Sequence, residues 1–243
     1  MTTAPPSGSD DPGLDNPVWA SLGAAHAHLA ELAGPAARYP ADVSPFAGLA
    51  DPADPAGWAG LAALAGPAAT VVLVGLPGPP PAGWTTTRPI PGVQMVAAPG
   101  FGSPASGPAR PGDPAVVELG EADVPAMLDL VERTRPGPFG ARTRLLGTYL
   151  GIREQGRLVA MAGERLHPPG ATEISAVCTD PSVRGRGYAS HLLRAVAAGI
   201  RARGETPFLH AAADNTSAIR LYSALGFHLR RETTFTVLQS PSA

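Results

Sequence analysis

Downstream of residue 115 the apolar residues fall into regular rhythms; upstream, Pro and Gly keep breaking them. Val116 to Leu119 reads as a strand. Asp123 can cap a helix in which Val124, Met127, Leu128 and Val131 recur at i, i+3, i+4 and i+7, and Pro136-Gly137-Pro138 ends it. Tyr149 to Arg153 and Arg157 to Arg165 predict two strands around the turn Glu154-Gln155-Gly156. A strand over 173–179 leads into Asp180-Pro181 and then Arg184-Gly185-Arg186-Gly187-Tyr188-Ala189, which opens a helix reaching about Arg203. Ala189, Leu192, Leu193, Val196 and Ile200 form its apolar face, and Gly204 fits the C-terminal cap. Pro207 to Ala212 is the next strand, and a strand–helix–strand order of this kind implies a parallel pair. Asn215 starts a helix with Ala218, Leu221, Tyr222 and Leu225 on one stripe, closed by Gly226. Phe227 to Arg231 and Thr233 to Leu238 read as two final strands.

Upstream, residues 1–15 are polar and Pro-rich and predict a flexible tail. Residues 17–34 predict a helix, with Asn16 as cap, Leu22, Ala25, Leu29 and Leu32 as its stripe, and Gly34-Pro35 as its end. Trp58 to Leu64 predicts a short helix, and Val71 to Leu76 and Val93 to Ala98 predict strands. The Pro/Gly-rich run 99–114 reads as a linker. The expected organisation is thus a tail (1–15), an N-terminal α/β region (16–98), a linker (99–114) and a second domain (115–243).

Composition adds constraints. The chain has 243 residues, a net charge of -2 and a single cysteine, Cys178, so no internal disulfide can form. Every basic residue is Arg. Residues 1–113 hold three Arg against eight acidic residues, and residues 114–243 hold fifteen against twelve, so the basic half is the half with the glycine-rich turn. The balance gives no sign of nucleic-acid or membrane binding, and no run approaches eighteen apolar residues. A cytoplasmic protein is the expectation.

Strand, glycine-rich turn and helix start together form an anion seat. The first helical N–H groups lack internal acceptors and the helix dipole is positive there. Arg184 and Arg186 add charge, so a diphosphate is the expected guest. The dinucleotide fingerprint Gly-x-Gly-x-x-Gly is not met, since only Gly185-x-Gly187 is present, and a P-loop needs a Lys that the chain lacks. The pattern present is Arg-x-x-Gly-x-Ala over 184–189, then Asn215-x-x-Ala218-x-x-x-Tyr222-x-x-x-Gly226-Phe227.

These two blocks, in this order and spacing, resemble the GCN5-related N-acetyltransferase superfamily over roughly residues 115–239. The resemblance implies an α/β fold with a mixed twisted sheet of the acyl-CoA N-acyltransferase type and a splayed parallel strand pair, preceded here by a smaller α/β half. Some members carry a degenerate acetyltransferase-like half before the active one, as in glycine N-acyltransferase-like proteins. Such a half would wall the acceptor cleft or form a homodimer face.

The resemblance further implies acetyl-CoA as co-substrate, no metal, and an amine acceptor. Val177, Cys178 and Thr179 would pair with the pantetheine arm. Arg184, Gly185, Arg186, Gly187, Tyr188, Ala189 and Ser190 would seat the diphosphate, with Asn215 and Ser217 facing the arm. Tyr222 would protonate the leaving thiolate, though an aromatic on an amphipathic stripe also serves as core. For the base, His210 is one candidate, equally readable as a hydrogen-bonded core histidine. Glu173, acting through water, and Glu164 are others. Cys178 reads as a small apolar filler rather than a nucleophile. Arg135, Phe139 and Arg142 would border the acceptor. His26, His28, His167, His191 and His228 show no metal-ligand spacing. The expected activity is acyl transfer to a primary amine by direct attack; the alternative is an acyl-CoA-binding sensor without turnover.

Overall fold

The computed structural model describes residues 12–102 and 114–242. In chain order the elements are α1 (Pro12–Asp15), α2 (Pro17–Leu22), β1 (Glu31–Ala33), β2 (Ala36–Arg38), β3 (Ala47–Leu49), α3 (Pro55–Ala65), β4 (Thr70–Val74), β5 (Thr85–Ala97), β6 (Val116–Glu118), α4 (Val124–Thr134), β7 (Tyr149–Glu154), β8 (Arg157–Glu164), β9 (Ala171–Thr179), α5 (Tyr188–Ala202), β10 (Thr206–Ala212), α6 (Thr216–Leu225) and β11 (Phe227–Gln239). Strands β1–β3 form a small antiparallel sheet, and the other eight form one mixed sheet in the order β4-β11-β5-β10-β9-β8-β7-β6.

The parallel pair β9/β10 is short. Only Ala171↔Thr206, Thr172↔Pro207 and Glu173↔Phe208 are in register. Beyond Glu173, β9 continues along β8, while β10 continues along β5. The two strands part, and a cleft opens between them.

The N-terminal half is not a separate body. Its strand β5 lies between β10 and β11, and β4 closes the far edge of the same sheet. The sheet runs across the expected 99–114 linker, since β10 and β11 pair with β5 and β11 also pairs with β4. Residues 103–113 lie outside the described residues, as do 1–11 of the expected tail. Residues 12–15 are helical, and Leu14 is buried.

Several upstream expectations fail for local reasons. The helix predicted over 17–34 stops at Leu22, because the Ser21 carbonyl accepts from both Ala24 and His26 and closes a turn. Residues 31–33 are then recruited as β1. β5 starts eight residues before Val93, despite Pro89 and Pro91. β10 ends opposite Gly92, and the Pro91 carbonyl accepts from Ala213 on that side, so the missing Pro N–H groups face where no ladder bond is needed. The two predicted final strands are a single strand, β11, with an irregularity between Leu229 and Arg231.

Helices cover both faces. On one, α5 and α6 set Leu192, Leu193, Val196, Ile200 and Tyr222 against Met95, Ile174, Leu209 and Phe227. On the other, α4 packs Met127 and Leu130 on Tyr149, Leu158 and Met161, while α1, α2 and the β1–β3 unit bring Leu14, Tyr39 and Phe46 over Phe208.

Candidate active site

The cleft between β9 and β10 has a volume of about 1550 Å³. Eleven of the twelve expected cofactor residues line it: Val177, Cys178, Thr179, Arg184, Gly185, Gly187, Tyr188, Ala189, Ser190, Asn215 and Ser217. Arg186 does not. It pairs with Glu154 at 2.9 Å, and the Tyr188 hydroxyl donates to the same carboxylate oxygen, so these two residues brace the turn against β7.

The turn is built for an anion. Gly185 (φ 81°) and Gly187 (φ 80°) are both left-handed, and the position a Cβ would take is open at each. α5 begins at Tyr188, and its first backbone bond runs from His191 N–H to the Gly187 carbonyl. The N–H groups of 188–190 therefore precede any intrahelical acceptor. The residues present thus fit the diphosphate of an acyl-CoA.

β9 carries a bulge where an acyl group would lie. Met161 pairs with Cys178 but Gly163 with Ser175, so Ala176 and Val177 together oppose Ala162, and Ala176 takes φ 51°. A non-glycine residue in this region is strained, and such strain concentrates at functional sites.

A buried polar chain crosses the base of the fork. Arg165 clamps Glu173 with Nε to Oε2 at 2.8 Å and Nη2 to Oε1 at 2.5 Å. His210 Nδ1 lies 2.7 Å from Glu173 Oε1; a carboxylate only accepts, so Nδ1 carries the proton. His210 Nε2 lies 3.1 Å from Gln94 Nε2. That amide is fixed, because its other Nε2 hydrogen goes to the Leu14 carbonyl at 2.8 Å and its Oε1 accepts from Arg230 at 2.9 Å. Nε2 of His210 is therefore the acceptor. Burial alone would raise the Glu173 pKa, but the charge and hydrogen bonds of Arg165, with help from His210, outweigh it and hold it at about 2.

His210 and Tyr222 line the cleft; Glu173 does not. Glu173, expected as a base acting through water, has a fully buried side chain, and both of its oxygens are engaged by Arg165 and His210. Glu164 lies off the cleft, bound to Arg203 at 2.8 Å. Tyr222 is pushed up to about 12 by burial and stays protonated. Burial likewise pushes the Cys178 thiol up to about 11, which suits an apolar filler. Of the three expected acceptor residues only Arg135 lines the cleft. Phe139 stacks edge-on against Tyr149, and Arg142 pairs with Asp42 at 3.1 Å.

Gln94, Arg165, Arg88 and Phe46 were not singled out in the sequence. Three of them lie in the N-terminal half: Arg88 and Gln94 reach the cleft through pairing of β5 with β11 and β10 across more than a hundred residues, and Phe46 through a bridge to Val72. Among the described residues no group of three His, Cys, Asp or Glu could hold a metal, and no helix is long and apolar enough to cross a membrane.

Comparison with known proteins agrees with this geometry. Residues 149–236 match the model of the FR47-like protein family. A 99-residue segment is 37% identical to the N-alpha-acetyltransferase RimI of Mycobacterium tuberculosis, covering 38% of this chain and 61% of that protein. An 82-residue segment is 33% identical to a mycothiol acetyltransferase of Saccharopolyspora erythraea, covering 33% of this chain and 27% of that one. The chain thus spans about three fifths and about a quarter of these relatives' lengths. A GCN5-related N-acetyltransferase structure from Kribbella flavida shares the fold at 19% identity, with a TM-score of 0.60 over 93% of this chain and 96% of that one. A GNAT-family structure from Novosphingobium aromaticivorans is 45% identical, with a TM-score of 0.82, covering 93% of this chain and 98% of its own. This chain belongs to the GNAT family.

Proposed function

We propose that this protein is an N-acyltransferase that binds acetyl-CoA in the β9/β10 cleft and passes the acetyl group to a primary amine. The observation that carries this reading is the joint presence, on one cleft, of the anion turn 184–190, the bulged edge of β9 and the phenol of Tyr222. Acetyl-CoA supplies the activated thioester. The N–H groups at the start of α5 and Arg184 hold its diphosphate, and the β9 edge from Val177 to Thr179 pairs with the pantetheine amides. A bulge amide beside Ala176 donates to the developing oxyanion. Asn215 caps α6 through Oδ1 and keeps its Nδ2 for the arm.

Tyr222 donates a hydrogen bond to the departing sulfur. Its pKa of about 12 lies well above the ~8.5 of an ordinary thiol, so the hydrogen bond, rather than full proton transfer, is its contribution. His210 is the proton acceptor that lines the cleft, and ionised Glu173 stabilises the imidazolium. Uptake at Nε2 requires the Gln94 amide to turn aside. That engagement is the one observation favouring a second reading, a protein that binds acyl-CoA without turnover.

The test is thiol release from acetyl-CoA with a panel of primary amines, for the wild type and Tyr222→Phe. Amine-dependent release that drops in the variant at unchanged acetyl-CoA affinity supports transfer. Saturable acetyl-CoA binding with no amine-dependent release from any acceptor supports the sensor.

A further inference from the structure

The cleft does not end at His210. Its wall continues onto β11, β5 and β4, where Phe235, Ile90, Val237 and Val72 line it. Phe235 stands edge-on to the His210 ring, with centroids 5.6 Å apart, and the Phe46 ring lies 6.3 Å from Phe235. Phe235 comes this close because Gly92 separates Gln94 from Ile90 on that face of β5. A Cβ at Gly92 would fall 2.8 Å from Phe235 Cε2, so the absent side chain is the space the ring occupies.

The sheet register makes this surface one strip. Phe235 pairs with Ile90, Val237 pairs with Val72, and Phe46 bridges to Val72. Alternate residues share a face, so Ile90 lies on the face of Gln94, which is itself opposite His210. Val237 is two residues beyond Phe235, which carries the strip about 7 Å further along β11. α5, whose first turn forms the diphosphate seat, packs on the other face with Leu209 and Met95. Phe235, Ile90, Val237 and Val72 are half-buried and stay open to the cleft, while Phe46 is buried beside them.

Resting on the transferase reading above, we infer that the acceptor is a small primary amine bearing an apolar body of about phenyl size, with Phe235 and Ile90 as specificity-determining residues. An amine that reaches His210 Nε2 lays its first carbons against Phe235 and the rest over Ile90 and Val237. Removing that body from water favours binding. The same surface disfavours an ammonium over a neutral amine, which is the form that attacks. A hydroxyl or a second charge laid on the strip loses its water and gains no partner there.

The test is calorimetric titration of the full chain, saturated with CoA, with 2-phenylethylamine, ethanolamine and 1,4-diaminobutane, alongside a separate acetyl-CoA titration. 2-Phenylethylamine should bind saturably and at least tenfold more tightly than either other amine. Phe235→Ala and Ile90→Ser should each erase most of that preference while leaving acetyl-CoA affinity unchanged. Equal or tighter binding of ethanolamine or the diamine, absence of saturable 2-phenylethylamine binding, or a preference that survives both substitutions would overturn the inference with the transferase reading intact. Loss of acetyl-CoA binding by the wild type would instead defeat the transferase reading.

Discussion

Gln94 and His210 face each other across the β5/β10 ladder with their Nε2 atoms 3.1 Å apart. The contact joins a strand of the N-terminal half to the group proposed to take the acceptor's proton. It also fixes the imidazole, because Gln94 is itself fixed by the Leu14 carbonyl and by Arg230. Gln94→Ala should therefore release Nε2 toward the cleft. The expected result is a shift in the pH profile of amine-dependent thiol release with acetyl-CoA affinity unchanged; an unmoved profile would remove Gln94 from the site.

Glu173 links the site to acid stability. Its folded pKa lies below its ordinary value of 4.5, at about 2. The folded state thus favours the ionised form, and this stabilisation is present above about 4.5 and is lost as pH falls toward 2. Glu173→Gln should flatten the fall in stability across that window, read by urea denaturation at successive pH values. Glu173→Ala leaves Arg165 buried and unpaired, which costs about 3–5 kcal/mol.

His26 sets a second, milder window. Its Nδ1 accepts from the Tyr39 hydroxyl at 2.7 Å, and its Nε2 donates to the Leu146 carbonyl at 3.0 Å. Burial, reinforced by nearby His167, lowers its pKa from 6.5 to about 4. The neutral ring is the folded form, so stability present above 6.5 declines as pH falls toward 4. His26→Gln should remove that slope while lowering stability at pH 7. A slope unchanged between pH 6.5 and 4 would show that the ring carries no such burden.

Ala176 stores strain at the bulge. Its φ of 51° costs an alanine about 1 kcal/mol that a glycine escapes. Ala176→Gly should raise stability by about that amount in chemical denaturation. A loss of stability would mean that the side chain's packing outweighs the backbone term.

The half after residue 115 was legible because its signals are local. The α5 stripe, the Gly185 and Gly187 turn, and the Asn215 and Gly226 caps each occupy a few consecutive residues, and all take the expected form. The burial of Glu173 was not legible, because nothing local reveals its clamp; Arg165 lies eight residues away across a hairpin. The placement of β5 beside β10 was not legible, since it depends on pairing between residues 92–96 and 208–212. The extension of β5 back to Thr85 through Pro89 and Pro91 was not legible either, since the reason these prolines are tolerated, an edge past the end of β10, exists only in the assembled sheet.

The central claim is that acetyl-CoA sits on the turn from Arg184 to Ser190, and acetyl-CoA titration of the wild type, Gly187→Ala and Gly187→Glu tests it most directly. Both substitutions carry the same backbone strain at φ 80°, but only Glu brings a negative charge to the diphosphate seat. Saturable binding by the wild type, near-normal binding by the Ala variant and a loss of at least tenfold in the Glu variant is the predicted result. Equal affinity across all three, or no saturable binding by the wild type, would contradict it.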